Sequence, residues 1–338
     1  MVKDIRNYSL LNHNTFKIEA KCDRFVDFST TDELLDVLPS LQNDLPALIV
    51  LGAGSNLLLT QDYHGTVVHS SIKGREATVS GTDILLRCGS GETFDDIVAY
   101  ATDNGWHGME NLSLIPGEVG ASAVQNIGAY GAEAKDVISL VEMVEIATGK
   151  QVAVERDDCG FGYRYSHFKG HWAGKYIVTH VTYRLSTVFS PRLDYGNIKA
   201  TLQERGIDNP SPTQLRQAII DIRQSKLPDP KVTGNAGSFF MNPVIPRETF
   251  EKLVKDNPGM PHFDIDSQRV KVPAAWLIDQ CGWKGKALGR AGVHDKQPLV
   301  LINRGGATGK EVLSLCEAIR DSVSGRFGID ITPEVNIR

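Results

Sequence analysis

The 338 residues are 41% hydrophobic and 23% charged, an ordinary globular make-up, and their number predicts two or three domains around a sizeable core. A net charge of -5 excludes broad affinity for nucleic acid or anionic membranes, while leaving room for a local cationic pocket. No apolar run approaches the roughly 20 residues of a membrane span, no signal-peptide core follows Met1, and five scattered cysteines without a C-x-x-C pair fit reduced cytoplasmic thiols.

Thr30-Thr31-Asp32-Glu33 resembles a capping box opening a short helix through Leu34, Leu35, Val37 and Leu38. The apolar run 47–51 predicts a buried strand that discharges into Gly52-Ala53-Gly54-Ser55-Asn56-Leu57. Glycines there admit close approach, and amides with Ser55 and Asn56 suit a pyrophosphate, though a plain turn uses the same residues. Leu57 stands where a Rossmann fingerprint has its third glycine, which excludes that motif. A first α/β lobe ends near residue 70.

From 75 to 185 the pattern is that of an α+β lobe, with strands at 76–79, 84–88 and 177–185, a helix at 93–104 and a hairpin over 141–155. Residues 106–131 predict a long glycine-rich loop, able to wrap a flat cofactor or simply to run over the surface. Arg164, set among aromatics in Gly162-Tyr163-Arg164-Tyr165-Ser166, suits either a carboxylate or a cation–π partner.

A domain boundary is expected at Asn209-Pro210-Ser211-Pro212, where Ser211 caps a helix striped by Leu215, Ile219 and Ile222 and bearing Arg216 and Arg223. Residues 226–243, with three prolines and two glycines, exclude a regular helix and read as a rigid, turning loop, suited to a substrate or simply an ordinary structured turn. In it Ser238 follows Gly-Asn-Ala-Gly, Phe239 and Phe240 form an apolar wall, and Lys226 and Asn242 stand at the ends. Residues 273–281 predict a helix and 299–303 a strand. Residues 305–311 fail the Walker pattern and read as the start of an amphipathic helix over 310–324. A strand over 331–337 is expected to turn Glu334 away from Val335. The nine histidines show no metal spacing, and no metal is expected.

Taken together, residues 52–57, 115–131, 161–166, 195–196, 226–243, 275–281, 300–303 and 333–335 resemble the UDP-N-acetylenolpyruvoylglucosamine reductases, flavoenzymes of bacterial cell-wall precursor synthesis, in their type I form. The resemblance spans nearly the whole chain. It implies an α+β protein with a two-lobed FAD-binding fold of the vanillyl-alcohol-oxidase (PCMH) type, its lobes at 1–70 and 71–210. A C-terminal α+β substrate-binding domain at 211–329 and a strand at 330–338 returning to the first lobe complete it. FAD is then non-covalent, because residues 52–56 offer no histidine or cysteine to tether it. Gly52, Gly54, Ser55 and Asn56 are expected at its pyrophosphate; Ile115, Gly120, Ser122, Gly128 and Val178 at the flavin, with Arg223 nearby.

The implied reaction takes hydride from NADPH, the co-substrate, through FAD to the enolpyruvyl ether of UDP-N-acetylglucosamine-enolpyruvate, giving UDP-N-acetylmuramate. Charge developing beside the substrate carboxylate calls for Arg164 as fixed cation and a protonated Glu334 as hydrogen-bond donor, and Ser238 supplies the proton. Tyr195, Lys226, Asn242 and Gln297 grip the UDP-sugar, Tyr195 as a lid. Met241 and Phe263 depart from a lysine and a tyrosine of relatives, which touches peripheral contacts only. A cytoplasmic monomer without nucleic-acid or membrane partners completes the expectation.

Overall fold

Ile177, Val178, Val181, Tyr183 and Leu185 are all buried, so the strand Tyr176–Ser186 is covered on both faces and reads as nearly continuous apolar sequence. It is the centre of a five-stranded antiparallel sheet in the order Gln151–Glu155, Ile138–Glu145, Tyr176–Ser186, Asp83–Gly89, Arg75–Ser80. The computed structural model describes residues 1–338, apart from the side chain of Pro46. In it the chain divides into two compact units.

The first unit comprises Met1–Tyr8, Cys22–Ala53 and His64–Ser225. The helices Phe94–Asp103 and Val119–Gln125 cover the five-stranded sheet, burying Phe94, Ile97, Val119 and Ala123 with Ile84, Leu86 and Tyr183. A second apolar cluster joins Ile177 and Val144 to Val26, Phe28 and Val68 and to Leu34 and Leu38 of the helix Thr31–Leu41. Thr30 caps that helix by accepting from the Glu33 amide.

The second unit gathers Ser9–Lys21, Gly54–Tyr63 and Lys226–Arg338. Its sheet runs Gly234–Ser238, Val300–Asn303, Ala291–Val293, Ala287–Leu288, with the helix Gly309–Phe327 contacting it. Thr308 and Glu311 form a reciprocal capping box at the start of that helix, where the sequence predicts a helix to begin. A short parallel ladder pairs Asn336–Ile337 with Leu57–Leu58.

Several expectations need correction. The loop over 106–131 contains the helix Val119–Gln125, and residues 226–243 contain the strand Gly234–Ser238, paired with Val300–Asn303 and bulged between Asn235 and Ser238. Phe239 and Phe240 are not a site wall; both are fully buried and pack edge-on against each other, Phe239 also against Phe16. Beyond the expected boundary at 209–212, Leu215, Ala218 and Ile219 of the helix Pro212–Lys226 pack on Ile198 and Leu202, while Arg216 grips Asp95, so the helix as far as Ser225 groups with the first unit. Of the strand over 331–337, only Asn336–Ile337 forms; Val335 is buried and Glu334 half-buried.

Candidate functional site

In the first unit the sequence folds tightly around Arg164. Asn126, fully buried and left-handed at φ 41°, donates to the Gly162 carbonyl and to Glu133 and accepts from the Lys135 amide. It thereby ties the hairpin Gly128–Ala129/Ala132–Glu133 to the turn that carries Arg164. Tyr130 (φ 49°) and Gly131 (φ 78°) form the hairpin's two-residue loop, both left-handed as such primed turns require.

Arg164 itself is left-handed at φ 53°, a conformation that persists in a long side chain only where the surroundings impose it. Lys169 imposes it by donating to the Arg164 carbonyl (3.1 Å) and to Gln125 (3.2 Å). The guanidinium donates to the Gly128 carbonyl (2.8 Å), and a Cβ on Gly128 would come within 3.2 Å of Nη1. It also lies 5.6 Å from the Tyr163 ring, so the cation–π contact exists alongside whatever else the side chain holds.

The half-buried Arg223 has an Nε with no hydrogen-bond partner, and burial, with the Arg164 charge adding, pulls it below the ordinary guanidinium range. An orphaned buried donor is costly unless a ligand satisfies it. Tyr195 is exposed and packs over Gly131, where an added Cβ would sit 3.1 Å from its own.

Ile115 and Val178 are buried, and Gly120 is pressed so closely on Ser90 that a Cβ would lie 2.9 Å away. The Ser122 hydroxyl bonds to the Val119 carbonyl and the Tyr183 hydroxyl, both at 2.7 Å. Ser122 fastens helix to sheet.

In the second unit Gly54 is held at φ 64° with the His13 carbonyl only 2.1 Å from where a Cβ would stand. No other residue fits that turn. Asn56 accepts twice from Asn336 and donates to the Glu334 carbonyl (3.3 Å). The Glu334 amide in turn donates to Phe239 (2.8 Å) and the Met241 amide to Thr332 (2.9 Å). Ser238 and Glu334 therefore stand on neighbouring stretches of backbone, with the loop of Gly54, Ser55 and Asn56 alongside.

Asn235 stiffens the approach to Ser238, donating to Pro228 and Thr233 and accepting from Gly237. Asn242 accepts from the Ala274 amide (2.9 Å), Gln297 supports the turn into Leu299, and Lys226 ends its helix exposed to solvent. Sequence reasoning missed Asn126, Lys169 and Asn235, whose partners lie outside any local pattern. Among the described residues no cluster of three metal-ligating side chains occurs, and no helix is long and apolar enough to cross a membrane.

One buried network also escaped the sequence. His69 contacts Asp27 through Nδ1 (3.0 Å) and Glu118 through Nε2 (3.2 Å), and Asp27 further accepts from Lys3 and Ser71. Burial opposes the imidazolium, but the two carboxylates outweigh it and push His69 up from 6.5 to about 9. For a raised pKa the stabilisation is complete below the unfolded value and is lost as pH climbs through the folded one. Thermal melting should therefore show up to about 3 kcal/mol of stability draining away between pH 6.5 and 9. A His69→Gln protein whose midpoint falls just as steeply over that window would refute this.

The orphaned Arg223 Nε fits a ligand rich in hydrogen-bond acceptors. Residues 23–155 match the family described as FAD binding domain, and residues 229–338 match UDP-N-acetylenolpyruvoylglucosamine reductase, C-terminal domain. The chain is 52% identical to the UDP-N-acetylenolpyruvoylglucosamine reductase of Bacteroides fragilis over 98% of its own length and 99% of that protein's. The reductases of Porphyromonas gingivalis and Flavobacterium johnsoniae are 45% and 43% identical, each over 98% of both chains.

Among solved structures, that of UDP-N-acetylenolpyruvylglucosamine reductase from Thermus caldophilus superimposes with a TM-score of 0.68 at 22% identity, over 100% of this chain and 98% of the other, and so shows the same fold. With both domains matched and the identity extending end to end, the chain belongs to the UDP-N-acetylenolpyruvoylglucosamine reductase family of FAD-dependent oxidoreductases.

Proposed function

We propose that the protein reduces the enolpyruvyl ether of UDP-N-acetylglucosamine-enolpyruvate to UDP-N-acetylmuramate, in peptidoglycan precursor synthesis, with NADPH as the electron source and non-covalent FAD. What supports the reading is 52% identity to such reductases over nearly the whole chain, together with the backbone ladder joining residues 332–334 to 239–241, which runs the segment bearing Glu334 alongside the chain just past Ser238. FAD, held by the residues named below, would supply the hydride-transfer chemistry that links NADPH to the substrate's enolpyruvyl double bond. The chain's own residues then manage charge and proton.

Arg164 meets the substrate carboxylate as negative charge builds on it, its fixed fork being suited to two oxygens. Glu334, protonated, donates a hydrogen bond to the same group. Ser238 gives its hydroxyl proton to the carbon bearing the carboxylate, so that one hydride and one proton saturate the double bond. Lys226 answers the diphosphate, Asn242 and Gln297 the sugar nucleotide, and Tyr195 closes over it. Gly52, Gly54, Ser55 and Asn56 receive the FAD pyrophosphate; Ile115, Gly120, the Ser122 backbone, Gly128, Val178 and Arg223 surround the flavin. The reading carries with it a cytoplasmic monomer acting on small molecules.

The visible spectrum of the purified protein tests this. A yellow protein should bleach with NADPH and regain its colour when the enolpyruvyl sugar nucleotide is added without oxygen. Reduced flavin that ignores this substrate and reoxidises rapidly in air would point instead to a sugar or alcohol oxidase. Glu334→Gln keeps the side chain's size but cannot present a carboxylic O–H, and turnover should drop by about 10²-fold. Turnover within twofold of the parent would remove Glu334 from the mechanism.

A further inference from the structure

Asp27, His69 and Glu118 come from three separate elements and have no part in the chemistry proposed above. An imidazole flanked by a carboxylate at each ring nitrogen can donate to both only when both nitrogens carry hydrogen, that is, as the imidazolium. Asp27, itself paired with Lys3 and Ser71, faces this ring on one side and Glu118 on the other, with the Ser71 hydroxyl 3.4 Å from Nδ1 and the Phe25 ring stacked at 6.2 Å. Glu118 uses only one oxygen on His69. The other, Oε2, lies against Gly52, 3.0 Å from where a Cβ on that glycine would stand. Gly52 opens the turn assigned above to the FAD pyrophosphate, so a carboxylate sits beside the backbone that is to receive an anion.

We propose that His69 is a positioning residue for FAD: it holds Glu118 against the Gly52 turn and cancels its charge, so that the turn accepts a diphosphate. The inference rests on the assignment of Gly52 to the FAD pyrophosphate. Once His69 loses its proton, Glu118 becomes an uncompensated negative charge at the turn and repels the cofactor. Lys3 leaves this balance unchanged, since it is paired with Asp27 rather than Glu118. The raised pKa of His69, at about 9, sets where this happens. Affinity is held at neutral pH and lost on the alkaline side.

The test is the dissociation constant of FAD, measured by quenching of flavin fluorescence on titration with flavin-stripped protein, between pH 6.5 and 10. The parent, His69→Gln, Glu118→Gln and the double variant are compared, with melting curves taken alongside. The parent should weaken on the order of tenfold across the alkaline limb, the effect of one unscreened charge near a phosphate. His69→Gln should be weaker by a similar factor already at pH 7.5. Glu118→Gln should bind at least as tightly as the parent with a flat profile, and the double variant should recover parental affinity although it lacks the ion pairs.

That recovery is what a merely structural role for His69 would not give. A double variant as weak as His69→Gln, or a Glu118→Gln protein as alkali-sensitive as the parent, overturns the proposal. If no variant and no parent binds FAD at any pH, it is the cofactor assignment that has failed. If all bind FAD equally at every pH, the assignment stands and the role of His69 falls.

Discussion

Ser238→Ala is expected to leave NADPH able to bleach the flavin at close to the parental rate, while the reoxidation of reduced flavin by the enolpyruvyl sugar nucleotide slows by about 10³- to 10⁴-fold. The asymmetry follows from the position of the hydroxyl. Ser238 is exposed at the end of the strand Gly234–Ser238, just past the left-handed Gly237, while Phe239 beyond it is buried. Loss of Oγ removes a proton source and no packing, so the fold and melting temperature should be retained. Stopped-flow absorbance, one half-reaction at a time, separates the effects. Equal rates in both half-reactions for parent and variant would mean that the proton comes from another group.

Arg164→Lys should cost about 10²- to 10³-fold in the same half-reaction, chiefly in kcat rather than KM, because the guanidinium matters most where charge develops. Lysine keeps a positive charge but not the fork, and its ammonium cannot both donate to the Gly128 carbonyl and offer two parallel donors to a carboxylate. The backbone should stay in place, since Lys169 and the Gly162–Tyr165 turn hold it independently of the side chain. A variant whose loss lies entirely in KM would make Arg164 a substrate anchor and not a stabiliser of developing charge.

Much of this was legible because local chemistry was enough. The Thr30 cap, the start of the helix Gly309–Phe327 and the helix after Ser211 are settled by residues within a few positions of one another. The strand Gly234–Ser238 was not legible: Gly-Asn-Ala-Gly has little preference for extended backbone, and its pairing is supplied by Val300–Asn303, some 65 positions away. The helix Pro212–Lys226 reads as the start of a new domain because Asn209-Pro210-Ser211 precedes it and Pro212 opens it. Its allegiance is decided by Ile198, Leu202 and Asp95, which no window around residue 212 contains.

The same distinction divides the candidate site. Residue types suited to phosphate and carboxylate could be named from the sequence, whereas Asn126, Lys169 and Asn235 act through single long-range hydrogen bonds. Ser122 likewise has a partner, the buried Tyr183 hydroxyl, that no local pattern announces.

The pairing of Asn56 with Asn336 joins positions 280 apart. At a synthesis rate of about 5–20 residues per second, roughly 15–55 seconds separate the emergence of the two from a ribosome. Throughout that interval Leu10, Phe16, Ile18, Leu57, Leu58 and Leu59, all buried in the finished protein, have no completed second unit to enter. The nascent chain thus carries two greasy stretches that must be kept from sticking to their neighbours, which makes slow production or a supply of holdase chaperones the natural remedy if the protein comes out insoluble.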